Sequence, residues 1–458
     1  MALHKSKRGL RLPINGAPEA RIEPGAAPRR VALLGHDYVS MKPTMRVQVG
    51  DSVKRGQVVF EDKKTEGVRF TAPAAGKVVA INRGERRAFQ SLVIELGTDE
   101  RSGRSGAADE ASYRSFSGKH PTSLTAAQVR ELLLESGQWA ALRARPFGRV
   151  ADPAERPHSI FVTAVDSDPL GADPMLGLEG RESDLQRGLA ALTKLTDGPV
   201  YVCTGERGLE LPPDERVRVE RFSGPHPSGT VGYHIHTLDP VDRNKLVWYL
   251  GVADAVAIGH LLDKGKLDVE RTVALAGPRV ARPRLIRTRV GAALADLVDG
   301  ELEEGPSRVI SGSIFSGSQA AGEIFGYLGR FHQQISVLAE DRERQFLGWL
   351  GPGLDKFSVV NAFLSKLMPG KRFDLTTSTN GSQRAVVPIG VYEKVTPHDL
   401  MASFLARALL MRDVERAEEL GCLELDEEDV ALLSFVCPGK NDYGPPLREI
   451  LTLIEKEG

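Results

Sequence analysis

Short apolar runs alternate with turn residues along the first hundred positions of the chain. Gly50-Asp51 and residues 73–76 are two of the turns. Short, evenly spaced strands bounded by such turn signals are typical of a small barrel or sandwich. The pattern therefore predicts a β domain over residues 1–100, with strands at 31–34, 45–49, 58–60, 78–81 and 92–96.

Helical and β-prone segments alternate over residues 101–255. Thr125 and Gln128 form a capping box at the start of the first helical segment. Such alternation favours a parallel, Rossmann-like α/β sheet. Residues 98–118 are polar and predict a linker or mobile loop. The predicted strands are 160–165, 200–203 and 217–222, and the further predicted helices are 182–195 and 241–249.

The second half of the chain divides into two further units. Residues 256–328 predict a compact α+β module, and residues 329–458 predict a helical domain. In the helical domain Thr396 is the expected cap of a helix over 397–412, because Pro397 suits the first helical position. A second helix is predicted over residues 426–436.

Composition excludes several classes of protein. The 458 residues carry a formal net charge of −1, so no overall field attracts nucleic acid. No apolar run approaches the roughly 20 residues that span a bilayer. The basic N-terminus lacks the apolar core of a signal peptide, so we expect a cytoplasmic location, with any membrane contact made through a partner.

The cysteines carry no metal signature. Cys203, Cys422 and Cys437 form no C-x-x-C pair. This spacing argues against a four-cysteine iron–sulfur or zinc site supplied by the chain alone. We expect all three thiols to be small buried side chains.

The turns at residues 49–57 and 72–78 follow the pattern of the biotinyl/lipoyl carrier fold. In carriers of that fold a hairpin lysine bears the cofactor. Here Lys63 and Lys64 compete for that place, and the segment leading to them from Gly56 is too short. We therefore expect a docking scaffold, with a lipoyl- or biotinyl-carrying module as the alternative.

Residues 135–175 offer no phosphate-binding loop. A flavin or nicotinamide nucleotide needs a glycine-rich turn at a helix N-terminus. Gly137 stands there among bulky neighbours, and no G-x-G-x-x-G or P-loop occurs elsewhere. The sequence favours a chain without a bound cofactor and with no catalytic residue of its own, and an FMN-binding NADH dehydrogenase subunit is the alternative.

Three histidines lie close together at positions 226, 234 and 236. His234 and His236 share one face if they lie on a strand, and such spacing can bind metal. No carboxylate or cysteine completes a familiar ligand set around His226 and these two. We therefore predict structural or interface roles and no metal site.

A set of short segments extends in one order from the N-terminus to the last predicted helix. The segments are 7–18, 31–35, 41–45, 60–64, 81–87, 161–164, 222–227, 234–241, 346–349, 379–382, 388–395 and 437–440. Together they resemble one family, the NqrA subunits of the Na+-translocating NADH:quinone reductases.

The resemblance implies a peripheral subunit on the cytoplasmic face of the bacterial inner membrane. The complex oxidises NADH, reduces ubiquinone and exports Na+, and its flavins and iron–sulfur cluster belong to other subunits. The expected partners are the membrane subunits and ubiquinone. The resemblance extends to the flavin subunit of respiratory complex I and to an Rnf subunit, whose soluble-ligand-binding β-grasp domain corresponds to residues 256–328.

A quinone site needs an apolar cleft with one or two hydrogen-bond donors for the carbonyl oxygens. Trp139 and Phe147 lie beside the position of the missing flavin loop. They are our candidates for quinone binding, and core packing is the alternative role for each.

Overall fold

The computed structural model describes residues 2–341, 351–360 and 362–457. The segment at 346–349, which contributed to the family resemblance, lies outside the described residues. Within them, no helix combines the length and the apolar character needed to cross a membrane.

The N-terminal segment ties two distant units together. Strand β1 (Leu3–Lys5) pairs in parallel with Val217–Ser223, and β2 (Glu19–Pro24) pairs in parallel with Arg284–Arg289. The first 24 residues therefore belong to other sheets and not to the β domain that follows them.

The β domain consists of two small sheets that pack face to face. The Phe60 ring of one sheet contacts the Phe89 ring of the other at 5.1 Å. Four of the five predicted strands are confirmed; the run at 45–49 is extended only at Met45, because the chain then leads into the turn at Gly50, whose φ is +102°. The sheets are β3-β9-β8-β5 and β4-β6-β7, formed by β3 (Arg30–Leu34), β4 (Pro43–Met45), β5 (Ser52–Val53), β6 (Val58–Asp62), β7 (Arg69–Thr71), β8 (Gly76–Arg83) and β9 (Phe89–Leu96).

Residues 98–118 are not the free linker that their composition predicted. Helix α1 (Thr98–Arg101) lies within this stretch, and the Glu100 side chain is buried. Its carboxylate pairs with Arg289 at 2.5 Å and with Arg55 at 3.5 Å. A buried carboxylate needs such partners, so the segment is held against both the β domain and the third unit.

The second unit is a seven-stranded sheet in the order β1-β14-β13-β12-β15-β10-β11. Helices α3 and α5 pack closely because Gly188 has no side chain. A Cβ atom there would lie 1.9 Å from the Ala255 carbonyl oxygen. The capping box of Thr125 and Gln128 is confirmed at the start of α2. The elements are α2 (Ala126–Ser136), β10 (Arg143–Arg145), β11 (Arg149–Val150), β12 (Ile160–Ala164), α3 (Glu182–Leu192), β13 (Val200–Thr204), β14 (Val217–Ser223), α4 (Val231–Leu238), β15 (Val247–Gly251) and α5 (Val252–Lys264).

The helix predicted over residues 241–249 is wrong. Residues 247–250 form part of β15, a strand between β12 and β10 whose side chains are buried. A short apolar run of this kind fits a strand buried on both faces as well as it fits a helix. The helix lies earlier, at α4, over two of the three histidines.

The third unit is a six-stranded sheet in the order β19-β18-β20-β16-β17-β2. It continues to Ala339, past the predicted boundary at residue 328. Its helix over Leu294–Val298 is only five residues long. The elements are β16 (Glu270–Ala276), β17 (Arg284–Arg289), α6 (Leu294–Val298), β18 (Ser307–Ser311), β19 (Ser318–Gln319), α7 (Gly322–Phe325) and β20 (Gln334–Ala339).

The C-terminal helices share a separate apolar core. The helix predicted over residues 426–436 is confirmed as α11, which Asp426 caps. The expectation for Thr396 is wrong: it ends α8, and its hydroxyl donates to the Tyr392 carbonyl oxygen at 2.9 Å, so α9 begins only at Ala402. The helices are α8 (Val391–Val395), α9 (Ala402–Met411), α10 (Val414–Glu419), α11 (Glu427–Val436) and α12 (Gly444–Glu457).

Candidate functional site

The α/β sheet opens a cleft where its strand order reverses. The chain proceeds from β12 through β13 to β14 on one side and then returns to place β15 on the other. Open α/β sheets bind ligands at the carboxyl ends of strands at such a point. The third unit and α11 form the other walls of this cleft.

Charged groups fill this switch-point cleft. The Arg143 guanidinium lies 4.5 Å from the Tyr249 ring centroid and 4.1 Å from that of Phe331. Asp254, at the start of α5, binds Arg271 at 2.6 Å and Arg330 at 2.8 Å. These contacts occupy the place in which a nucleotide-binding sheet presents backbone N–H groups.

Carboxylates also line the cleft, at Asp166, Asp168 and Glu428. Burial raises the pKa of Asp166 well above its usual range, and the neighbouring Asp168 raises it further. Burial also raises the pKa of Glu428, to about 7. The cleft therefore presents acidic side chains beside the guanidinium groups of Arg143, Arg271 and Arg330.

A second cavity lies where the first three units meet. We call it the junction pocket, and residues of all three units line it. The Tyr38 and Phe70 rings contact each other edge to face at 4.5 Å in its wall. Apolar side chains complete the lining, among them Leu33, Leu267, Val290 and Leu328.

One polar group in the junction pocket has no partner. Gln138 is 6% exposed, and its Nε2 atom makes no hydrogen bond with any described residue. A buried amide without a partner is costly, so a hydrogen-bond acceptor placed beside this amide would be favoured. Asp37 also lines the pocket; burial raises its pKa, and its carboxylate accepts from the Arg330 backbone N–H at 2.9 Å.

The two aromatic candidates lie in different surroundings. Trp139 is fully buried, donates its indole N–H to the Ala151 carbonyl oxygen at 2.8 Å and packs against Trp248. Phe147 packs partly buried against the C-terminal helices. Neither ring lines the switch-point cleft or the junction pocket, although Gln138, the neighbour of Trp139, lines the latter. Quinone binding by Trp139 or Phe147 stays a prediction.

Lys63 and Lys64 are both exposed in the connection between β6 and β7. The Lys63 backbone N–H donates to the Lys42 carbonyl oxygen at 2.8 Å, and that of Lys64 donates to the Asp62 carboxylate at 3.0 Å. This is the hairpin position that the carrier-like pattern indicated.

The three histidines are engaged separately. His234 and His236 lie on α4, not on a strand, so they point to different faces. The His234 Nε2 faces the Ser228 carbonyl oxygen at 3.2 Å, and the His236 Nδ1 pairs with Glu424 at 2.7 Å. His226 lies 3.5 Å from the Asp168 carboxylate. The described residues contain no group of three or more histidine, cysteine and acidic side chains that could hold a metal ion.

All three cysteines are buried, as expected. Cys437 accepts a hydrogen bond from the Tyr392 hydroxyl at 3.1 Å and shares one with the Tyr443 hydroxyl at 3.3 Å. Burial raises the pKa of a thiol, but these bonds outweigh it and lower the pKa of Cys437.

Sequence reasoning missed the junction pocket. Asp37, Tyr38 and Gln138 have no mutual spacing that marks a motif, because they reach one cavity from different units. The isolated Gly137, the left-handed residue that ends α2 at a φ of +76°, was the only local signal nearby.

The fold and these cavities define a multi-unit α/β protein whose seven-stranded sheet has charged side chains in the cleft at its switch point. Three family models match the chain in order. They are the NqrA N-terminal barrel-sandwich hybrid domain over residues 4–97, the NqrA second alpha/beta domain over 124–267 and the NQRA C-terminal domain over 272–322.

Full-length relatives agree with these models. The chain is 52% identical over 455 residues to a protein of Hahella chejuensis, covering 99% of this chain and 100% of the relative. It is 53% identical over 456 residues to one of Saccharophagus degradans and 50% identical over 455 residues to one of Yersinia pestis, with the same coverage. Each is named as the A subunit of the Na(+)-translocating NADH-quinone reductase. The chain therefore belongs to the NqrA family, the A subunits of the Na+-translocating NADH-quinone reductases.

Among solved structures, an NAD+-reducing [NiFe]-hydrogenase in its H2-reduced state matches 48% of this chain and 48% of its own. Its TM-score is 0.36 at 17% sequence identity. No part of the assignment rests on this weak likeness.

Proposed function

We propose that this chain is a subunit without a redox centre of its own, which docks on the membrane subunits of the Na+ pump and binds the quinone headgroup in the junction pocket. It lies at the cytoplasmic face of the inner membrane. The α/β unit serves as a Rossmann-like frame without its cofactor loop, and the C-terminal helices form a separate helical domain.

The unpartnered Gln138 amide supports quinone binding most directly. A quinone carbonyl oxygen accepts a hydrogen bond and has no proton to donate, which matches an orphan N–H donor. The Tyr38 and Phe70 rings supply an aromatic wall for the flat headgroup. The relatives' names include quinone as the electron acceptor, so a quinone is the ligand that chemistry and family favour together.

Calorimetry of the purified chain with a water-soluble ubiquinone analogue tests the proposal. Gln138→Leu removes the donor at similar volume, and we expect binding about 2- to 12-fold weaker, the value of one hydrogen bond. Gln90→Leu, which changes a partly exposed glutamine on β9, is the matched control and is expected to leave affinity unchanged.

Two results would contradict the proposal. One is no heat from the unaltered chain at saturating analogue concentration. The other is equal affinity in the chain and in Gln138→Leu, which would move the site away from the junction pocket.

A further inference from the structure

A loop before the C-terminal helices carries an exposed apolar tip. Residues 352–360 and 362–373 form this loop, which we call the basic loop. The short 3-10 helix Leu364–Leu367 lies within it. Leu367 is 77% exposed, and Leu364 and Met368 are each 49% exposed. Residues three apart in a 3-10 helix lie on one side, so Leu364 and Leu367 point outward together.

Internal contacts hold the basic loop in a compact form. The Leu364 backbone N–H donates to the Pro352 carbonyl oxygen at 3.0 Å, which closes the loop. Ser365 is buried beneath the tip, and its hydroxyl donates to the Lys356 carbonyl oxygen at 2.5 Å. The apolar side chains of the tip therefore lie on the outer surface of a folded loop.

The base of the basic loop is fixed to the body of the protein. The Phe373 backbone N–H donates to the Pro13 carbonyl oxygen at 2.8 Å, and the Asn15 N–H donates to the Phe373 carbonyl oxygen at 3.0 Å. The Asn15 side chain also donates to Asp374 at 2.7 Å. This anchoring makes the tip a fixed projection.

The basic loop carries more basic than acidic side chains. The loop contains four basic residues and one acidic residue, Asp355, which pairs with Lys371. Lys366 lies inside the short helix and Arg372 lies at the loop base, and both are exposed. The basic residues are Lys356, Lys366, Lys371 and Arg372.

We propose that the basic loop is a membrane-surface anchor whose Leu364, Leu367 and Met368 side chains enter the headgroup region of a bilayer that contains anionic lipid. Apolar side chains flanked by lysine and arginine are the pattern of interfacial binding. Positive charge close to an anionic leaflet adds attraction that falls off within a Debye length. Charge complementarity thus selects an anionic bilayer, and the inference is independent of quinone binding.

Sedimentation with vesicles tests the anchor. We expect the full chain to bind phosphatidylcholine vesicles that contain about one quarter phosphatidylglycerol, and not vesicles of phosphatidylcholine alone. Binding is expected to weaken at about 1 M salt, where the Debye length falls to about 3 Å. Leu367→Asp is expected to weaken binding at least about tenfold, and Lys366→Glu is expected to weaken it on anionic vesicles.

Val49→Asp is the matched control, because Val49 is an apolar side chain on the β domain that is 58% exposed. It is expected to bind as the unaltered chain does, and circular dichroism checks that each variant is folded. Absence of binding to the anionic vesicles, or equal binding by Leu367→Asp, overturns the proposal. If Leu367→Asp releases the other subunits from the purified complex while the unaltered chain ignores vesicles, the tip contacts a partner protein, which also overturns it.

Discussion

Arg145 fastens the α/β unit to the C-terminal helices. Its side chain is fully buried and donates through Nη1 to the Glu424 carbonyl oxygen and to the Asp429 carboxylate, both at 2.9 Å. Glu428 lies 3.2 Å and Asp426 3.7 Å from the same guanidinium. Burial opposes ionisation of Asp426, but Arg145 and neighbouring groups hold its pKa well below the usual range.

Arg145→Met keeps much of the volume and removes the charge. The variant leaves Asp429, whose side chain is fully buried, without its ionic partner. Breaking a buried pair on one side costs about 3–5 kcal/mol. We expect the free energy of unfolding of the C-terminal helices to fall by about that amount, measured by calorimetric melting with separate transitions for separate units.

Two comparisons make the prediction refutable. Arg416→Met removes a half-exposed partner of Glu419 on α10 and is expected to change little. The double variant Arg145→Met/Asp429→Asn is expected to recover part of the loss, because the stranded charge is gone. If Arg145→Met melts like Arg416→Met, or the double variant recovers nothing, the stranded-charge explanation fails.

Four further predictions concern stability, ligand access and modification. Burial lowers the pKa of His398 to about 4, below its unfolded value of about 6.5. The stability that the neutral ring contributes is therefore present above pH 6.5 and is lost as the pH falls towards 4. Over this range the melting midpoint of His398→Gln should fall less than that of the unaltered chain, and equal slopes would contradict this. The pKa of Glu428 is raised to about 7, so its favourable contribution to the free energy of unfolding is lost as the pH rises from about 4.5 to 7. Glu428→Gln should therefore gain stability relative to the unaltered chain between pH 5 and pH 8. A constant difference in stability between the two proteins over this range would argue otherwise. An alanine Cβ at Gly137 would lie 2.6 Å from the Thr71 Oγ1. The free energy of unfolding of Gly137→Ala should therefore fall by about 1–3 kcal/mol, and the variant should bind the quinone analogue more weakly. Gly106 faces open space, so Gly106→Ala should change neither property. Intact mass spectrometry should show an unmodified chain, and an adduct on Lys63 or Lys64 would revive the carrier alternative.

The family and much of the β domain could be predicted from sequence. The order of short motifs along the chain was enough to indicate the family without any knowledge of contacts. Turn residues placed four of five strands in the β domain, and Asp426 and the Thr125–Gln128 pair marked helix starts correctly. These signals act between residues that are only a few positions apart, so tertiary packing does not override them.

Other elements were decided by packing. The run at 247–250 became a buried central strand because it pairs with β10 along one edge and with β12 along the other. Thr396 bonded back to Tyr392 instead of starting a helix. Local pattern cannot distinguish these outcomes, since a short apolar run and a hydroxyl cap each fit two structures.

The sequence by itself determined which chemistry is missing: no glycine-rich phosphate loop stands near Gly137 and no cysteine cluster occurs. Only the tertiary structure decided which side chains surround the position where such a loop would lie. It brought Asp37 from the β domain and Gln138 from the α/β unit to one pocket and aligned Asp254 with Arg330 beside it. Residues this far apart in the chain meet only because strands pair and units pack together. A sequence pattern describes residues that are near each other in the chain, so it cannot predict these contacts.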